Sequence, residues 1–231
     1  MHHEGETDRM NIAIDGPAGA GKSTVARKVA EQLGYVYVDT GAMYRAVTLS
    51  AQRAGVSAAQ PEKLAELARS LKIELEPGIQ GQSVYVNGED VTSLIRSREV
   101  TLQVSHYAAN EAVRDVLGMM QRNLAAFKGV VMDGRDIGTH VLPDAELKVF
   151  LTASVKERAL RRFREISETQ SVTLEQLEAE IAERDRLDEQ RDISPLICAS
   201  DAVVVDSTGM TIDEVIQAIV DLSRTKMAEA K

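Results

Sequence analysis

Eight residues near the start of the chain, Gly16-Pro17-Ala18-Gly19-Ala20-Gly21-Lys22-Ser23, limit the fold more than any other stretch. They match G-x-x-x-x-G-K-[ST], with the β-branched run Asn11 to Asp15 directly before them. Directly after come Val25, Val29 and Leu33, which share one helical face, and Gly34, suited to a left-handed cap. The order strand, glycine turn, helix curls backbone N–H groups around an anion and adds the positive end of the helix dipole. The loop Gly16 to Ser23 with Thr24 is therefore expected to cradle the phosphates of ATP, with Lys22 reaching the β- and γ-phosphates and the Ser23 hydroxyl coordinating Mg²⁺. A plain glycine-rich turn with an exposed lysine would explain the letters alone, but not the strand and helix that flank them.

The same alternation recurs along the chain. Tyr35 to Asp39, Val130 to Asp133, Leu147 to Leu151 and Ala202 to Asp206 are short β-branched runs separated by helical periods. With Asn11 to Asp15 they predict a five-stranded parallel sheet flanked by helices. Leu64, Leu67, Ala68 and Leu71 stripe one helix introduced by Pro61. Val113, Val116, Leu117, Met120, Leu124 and Phe127 stripe a longer one that Gly129 is expected to close. Ser154 with Glu157, Thr173 with Gln176 and Thr211 with Glu214 have capping-box spacing. From Lys72 to Val91 the period falls to two, and Asn87-Gly88 is a hairpin signal, so an antiparallel ribbon interrupts the parallel sheet. At 231 residues the chain is long for one core, and one domain over 10–231 carrying an insertion is expected. Residues 1–9 read as a mobile polar extension.

Composition narrows the partners. The net charge of −9 and a pI of about 5.1 oppose a phosphate-tracking nucleic-acid binder. Aromatic residues at 3%, with no Trp, leave few rings for stacking on bases. No stretch free of charged residues is long enough for a membrane helix, and no apolar leader opens the chain. The lone Cys198 excludes an intrachain disulfide and fits a reducing compartment, so a cytoplasmic protein bound to neither membrane nor nucleic acid is expected. A monomer is expected as well.

A small anionic ligand would need arginines clustered locally, and the chain has them. Asp133-Gly134-Arg135-Asp136 sets two acids and an arginine around a glycine just past a core strand, at the edge where open α/β sheets bind ligands. Asp133 stands where a Walker B acid would orient the hydrated metal, and a simple turn role for the same residue stays open. Arg45 and Arg114 also stand at element ends. Arg184, Asp188 and Arg191, at i, i+4 and i+7, fall on one helical face, which suits a ligand-reading surface and a salt-bridge ladder equally. His106 and His140 read as structural.

Gly16 to Ser23, Asp39-Thr40-Gly41-Ala42-Met43-Tyr44-Arg45, Asp133 to Thr139, and Glu183-Arg184-Asp185 through Arg191 together resemble the bacterial cytidylate kinase family, among the nucleoside monophosphate kinases. The similarity runs from about Asn11 to the C-terminus. It implies a P-loop kinase in which the antiparallel insert belongs to a nucleoside monophosphate-binding region at about 41–115. A helical lid at about 152–175 would carry Arg158, Arg161, Arg162 and Arg164, with Arg161 on ATP. The resemblance further implies that Ser105, Arg114 and Asp136 read cytosine, and that Arg45, Arg135 and Arg191 hold the acceptor phosphate. Arg184 and Asp188 would meet the sugar, with Thr40 and Tyr44 beside them. Ser105 is singled out by the resemblance alone. Thr40 keeps the hydroxyl of the serine found in some relatives.

The activity implied is Mg²⁺-dependent transfer of the γ-phosphoryl of ATP to CMP or dCMP, with Lys22, Arg135 and Arg191 as catalytic groups. No general base is needed, since the attacking phosphate oxygen is already anionic. A different small-molecule P-loop kinase would share the cradle but give Ser105 and Asp136 no common target. A nucleotide-dependent switch would need a water-positioning residue that the sequence does not identify.

Overall fold

The computed structural model describes residues 9–78, 81–166 and 171–229. Residues 1–8 of the polar extension lie outside the described residues, as do 167–170 of the span assigned to a lid.

A five-stranded sheet in the order β2-β6-β1-β7-β8 organises the molecule, and all four of its pairings are parallel. Its strands are β1 (Asn11–Asp15), β2 (Val36–Asp39), β6 (Val130–Gly134), β7 (Leu147–Thr152) and β8 (Val203–Asp206). In β1, period two sends Ile12 and Ile14 to one face and Ala13 to the other. Ile12 and Ile14 pack with Val25 and Val29 of α1 (Lys22–Leu33) and Ile219 of α8 (Ile212–Glu229). Ala13 packs with Val38, Met132 and Ile137. Both faces of the central strands are thus covered, which is why they read as near-continuous apolar runs.

A second core joins α2 (Thr40–Arg53), α3 (Pro61–Ser70) and α5 (Glu111–Ala125) through Met43, Val47, Leu64, Val113 and Leu117. α4 (Arg98–Ala108) packs against α2. The ribbon is a three-stranded antiparallel sheet, β3 (Ile73–Gly78), β4 (Gly81–Val86) and β5 (Glu89–Asp90). Its Asn87-Gly88 turn has φ of 51° and 84°, the pair of left-handed residues that a two-residue hairpin requires. α6 (Val155–Ile166) and α7 (Leu174–Glu189) pack together around Ala159, Leu177 and Ile181. The Thr173–Gln176 capping box opens α7.

The long amphipathic helix is shorter than its stripe. α5 stops at Ala125, and Lys128 and Gly129, at φ 61° and 75°, turn the chain into β6. Phe127 is consequently 93% exposed rather than in the core. Among the described residues, no helix is long and apolar enough to cross a membrane.

Candidate active site

The site lies along the carboxyl ends of β1, β2, β6 and β7, where β1, β6 and β7 run into loops and β2 runs directly into α2. Gly16 follows β1 at φ 149°, and a Cβ there would fall 2.0 Å from the carbonyl oxygen of Leu151 on β7. Only glycine lets the loop turn against that neighbouring strand. Lys22, the first residue of α1, is buried, and its Nζ donates to the Pro17 carbonyl at 2.7 Å. Burial, and next Arg135, hold its ammonium well below the usual lysine range. The exposed lysine of a plain glycine turn is therefore not what this loop contains.

Ser23 Oγ donates to Asp133 Oδ2 at 2.9 Å, and the Tyr37 hydroxyl donates to Oδ1 at 2.9 Å. Burial first, and Asp39 second, push the Asp133 carboxyl up to about 7. A hydroxyl and a carboxylate side by side are hard oxygen donors of the kind Mg²⁺ takes while keeping waters and substrate phosphates, so these residues fit that ion. A cavity of about 600 Å³ runs from Lys22, Ser23 and Thr24 past Asp133 and Arg135 to Arg161 and Val215. Arg161 on its rim donates to Ser207 Oγ at 3.1 Å and to the Ser207 carbonyl at 2.8 Å.

Beyond Arg135 a second cavity, of only about 40 Å³, is lined by Thr40, Tyr44, Ser105, Arg114, Asp136, Asp188 and Arg191 among others. Its charges are closed on one another. Arg135 Nε donates to Asp188 Oδ2 at 2.8 Å, and Ser105 Oγ to Asp188 Oδ1 at 2.9 Å. Asp136 pairs with Arg114 and, at 3.5 Å, with Arg191. Arg114 also lies 5.4 Å over the Tyr44 ring. Burial raises the Asp188 carboxyl, but Arg135, Arg184 and Arg191 outweigh it and hold it below the usual carboxylate range. The Thr40 hydroxyl is committed to the Asp133 carbonyl at 2.7 Å.

One placement differs from the spacing argument, and two more arginines take positions that spacing did not address. Arg191 is not on the face of α7, because that helix ends at Glu189; the turn beyond Gln190 brings its guanidinium back to within 4.0 Å of Asp188. Arg45 faces the larger spaces rather than the small cavity. Its Nη1 donates to Thr101 Oγ1 at 2.7 Å, and it lines both the 600 Å³ cleft and an adjoining cavity of about 570 Å³. Arg184 borders all three cavities, and its buried Nε has no hydrogen-bond partner among the described residues. Burial, then Arg135 and Arg45, push its guanidinium down to about 9.

Several functional contacts escape sequence reasoning. The Asp15 carboxylate accepts from the backbone N–H groups of Ile137 at 2.8 Å and Gly138 at 2.7 Å, pinning the loop that carries Arg135 and Asp136. Burial pushes that carboxyl up to about 6. Tyr37 reads in sequence as one more strand aromatic, and Arg158 as one more lid arginine. A polar residue at a buried strand end, as at Asp15, is a signal that could have found one of them.

A parallel sheet with a phosphate-binding loop after its first strand, a metal-compatible Ser–Asp pair and an arginine-rich pocket facing that loop define a P-loop kinase. The cytidylate kinase family model matches residues 12–225. The chain belongs to the cytidylate kinase family. Cytidylate kinases of Ligilactobacillus salivarius strain UCC118 and Geobacillus kaustophilus strain HTA426 are 54% and 53% identical to it over 215 residues, 93% of this chain and 96% of each of theirs. A solved structure of an uncharacterized protein from Eubacterium ventriosum ATCC 27560 shares the fold at a TM-score of 0.54 and 10% identity, covering 94% of this chain and 99% of its own.

Proposed function

We propose that this kinase transfers the γ-phosphoryl of ATP to CMP or dCMP, giving ADP and CDP or dCDP. One observation carries the reading: a self-neutralised cluster of arginines and acids abuts the phosphate loop, with Arg184 bordering both the donor cleft and the acceptor cavity. The triphosphate of ATP lies along the loop Gly16 to Thr24. Ser23 and Asp133 would hold Mg²⁺, which supplies positive charge to the β- and γ-phosphate oxygens. Lys22 meets the same phosphates from the loop side.

On the acceptor side, Arg135 and Arg191 grip the CMP phosphate, and Arg45 adds charge from the cleft. Ser105, Arg114 and Asp136 face the base, with Asp188 and Arg184 toward the sugar. Nucleotide pockets are roughly 300–1,000 Å³, so the ion pairs that close the present 40 Å³ cavity must part when CMP enters. The anionic ligand replaces the carboxylates as partner of the arginines. The region around 41–115, with the antiparallel sheet, forms the acceptor-binding part, and 152–175 forms the lid.

The test is coupled ADP release over CMP, dCMP, UMP, AMP and GMP. Turnover should be confined largely to the two cytidylates. Phosphate release without any acceptor, or equal turnover on all five, overturns the reading.

A further inference from the structure

Helices α6 and α7 grip one residue of the phosphate loop from both sides of its peptide backbone. The Ala18 N–H donates to Asp185 Oδ1 at 3.0 Å, while Arg158 Nη1 donates to the Ala18 carbonyl at 2.7 Å. The same Arg158 Nη1 lies 2.7 Å from Asp185 Oδ2, and Arg158 Nε donates to the Ala153 carbonyl at 2.9 Å. Arg158 and Asp185 are both buried. Gly19, at φ 73°, leaves room for them, since a Cβ there would lie 3.3 Å from Arg158 Cβ. Loop, α6 and α7 therefore meet in one closed hydrogen-bonded ring.

We propose that Asp185 and Arg158 are positioning residues that clamp the phosphate loop at Ala18, and that Arg158 acts by neutralising Asp185 rather than by touching ATP. The proposal rests on the reading of the loop as the ATP cradle. Asp185 brings a negative charge to the edge of a site built for polyanions, which is tolerable only while Arg158 cancels it. Asp185 shares α7 with Arg184 and Asp188, so the clamp also sets the distance between the donor loop and the acceptor pocket.

A double-mutant cycle distinguishes neutralisation from direct contact. ATP and CMP affinities are measured by calorimetry for wild type, Arg158→Met, Asp185→Asn and the double variant, with melting temperatures alongside. Arg158→Met should weaken ATP roughly tenfold, with CMP changed by less than about twofold, because an uncancelled carboxylate then sits behind the loop that holds the triphosphate. Adding Asp185→Asn should restore ATP to within about threefold of wild type. Additive losses overturn the proposal. Arg158→Lys, which keeps the charge and is the milder change for folding, should stay within about threefold for ATP. A tenfold loss in that variant also overturns it, since the guanidinium would then be reading ATP itself. Failure of the wild type to bind ATP overturns the donor reading, a result separate from an additive cycle in a wild type that binds.

Discussion

The guanidinium Nε of Arg135 sits 2.8 Å from Oδ2 of Asp188, and the other oxygen of that carboxylate accepts from Ser105. Two elements far apart in sequence thus cancel each other's charge across the 40 Å³ cavity. Buried pairs of this kind contribute little net stability, because desolvation offsets most of their attraction. In the proposed function these pairs keep the arginines desolvated and aimed until an anion takes the place of the acid.

Arg135→Ala and Arg191→Ala should each raise the KM for CMP and lower kcat, for a combined loss of roughly ten- to a hundredfold in kcat/KM. The KM for ATP should change little. Steady-state kinetics with each substrate varied in turn checks this, and a change confined to ATP would place both arginines on the wrong substrate.

Lys22→Met should remove transfer by roughly 10²- to 10³-fold or more, since Lys22 is the only charged side chain of the loop Gly16 to Thr24. The fold should survive, and the melting temperature should match or exceed that of wild type. A buried lysine held below its ordinary range binds its proton less readily folded than unfolded, so its charge at neutral pH costs stability. Turnover and thermal melts of one preparation test both halves.

The pH dependence of stability should show Asp133. Its carboxyl rises from 3.8 to about 7 on folding, so its stabilising contribution is complete below about pH 4 and is lost as pH rises through about 7. Asp133→Asn removes the ionisation and keeps one hydroxyl donating to its Oδ1, while the other turns to accept from its amide N–H. Without Mg²⁺ it should melt above wild type at pH 8, with each kcal/mol giving roughly 2–4 °C. The gap should close toward pH 4.5. A gap that is constant with pH would show that ionisation of this carboxyl is not what costs stability.

Asp136→Asn should lower kcat/KM for CMP and narrow its advantage over UMP. Cytosine offers an amine where uracil offers a carbonyl, and a buried unmatched acceptor costs about 1–3 kcal/mol, or roughly tenfold to a hundredfold. Asp136 also pairs with Arg114 and Arg191. Should that pairing be its whole role, both substrates would suffer alike and the CMP to UMP ratio would stay constant.

Much of the architecture was legible because it is local. The apolar runs that became β1, β6 and β7, the glycine turn before α1, and Asn87-Gly88 each express a backbone preference within a few residues. The overextension of α5 came from the same source. An apolar stripe through Phe127 satisfies helical period, and nothing local shows that Lys128 and Gly129 must reverse the chain to enter β6. Arg191 failed as a helical neighbour of Asp188 for a similar reason, since α7 ends where the chain must turn back toward the pocket, a demand of the tertiary fold rather than of the helix.

The chain alone determined the phosphate loop, the alternation of strand and helix, and an excess of arginine in a chain of net charge −9. Those come from spacing, steric freedom and residue chemistry, which act along the backbone. Which arginine meets which acid was decided only when the sheet brought Arg135, Asp188 and Ser105 together and set Arg158 and Asp185 on either side of Ala18. Ion pairs and hydrogen bonds act over a few ångströms through space, so partners more than 50 residues apart leave no local pattern to read.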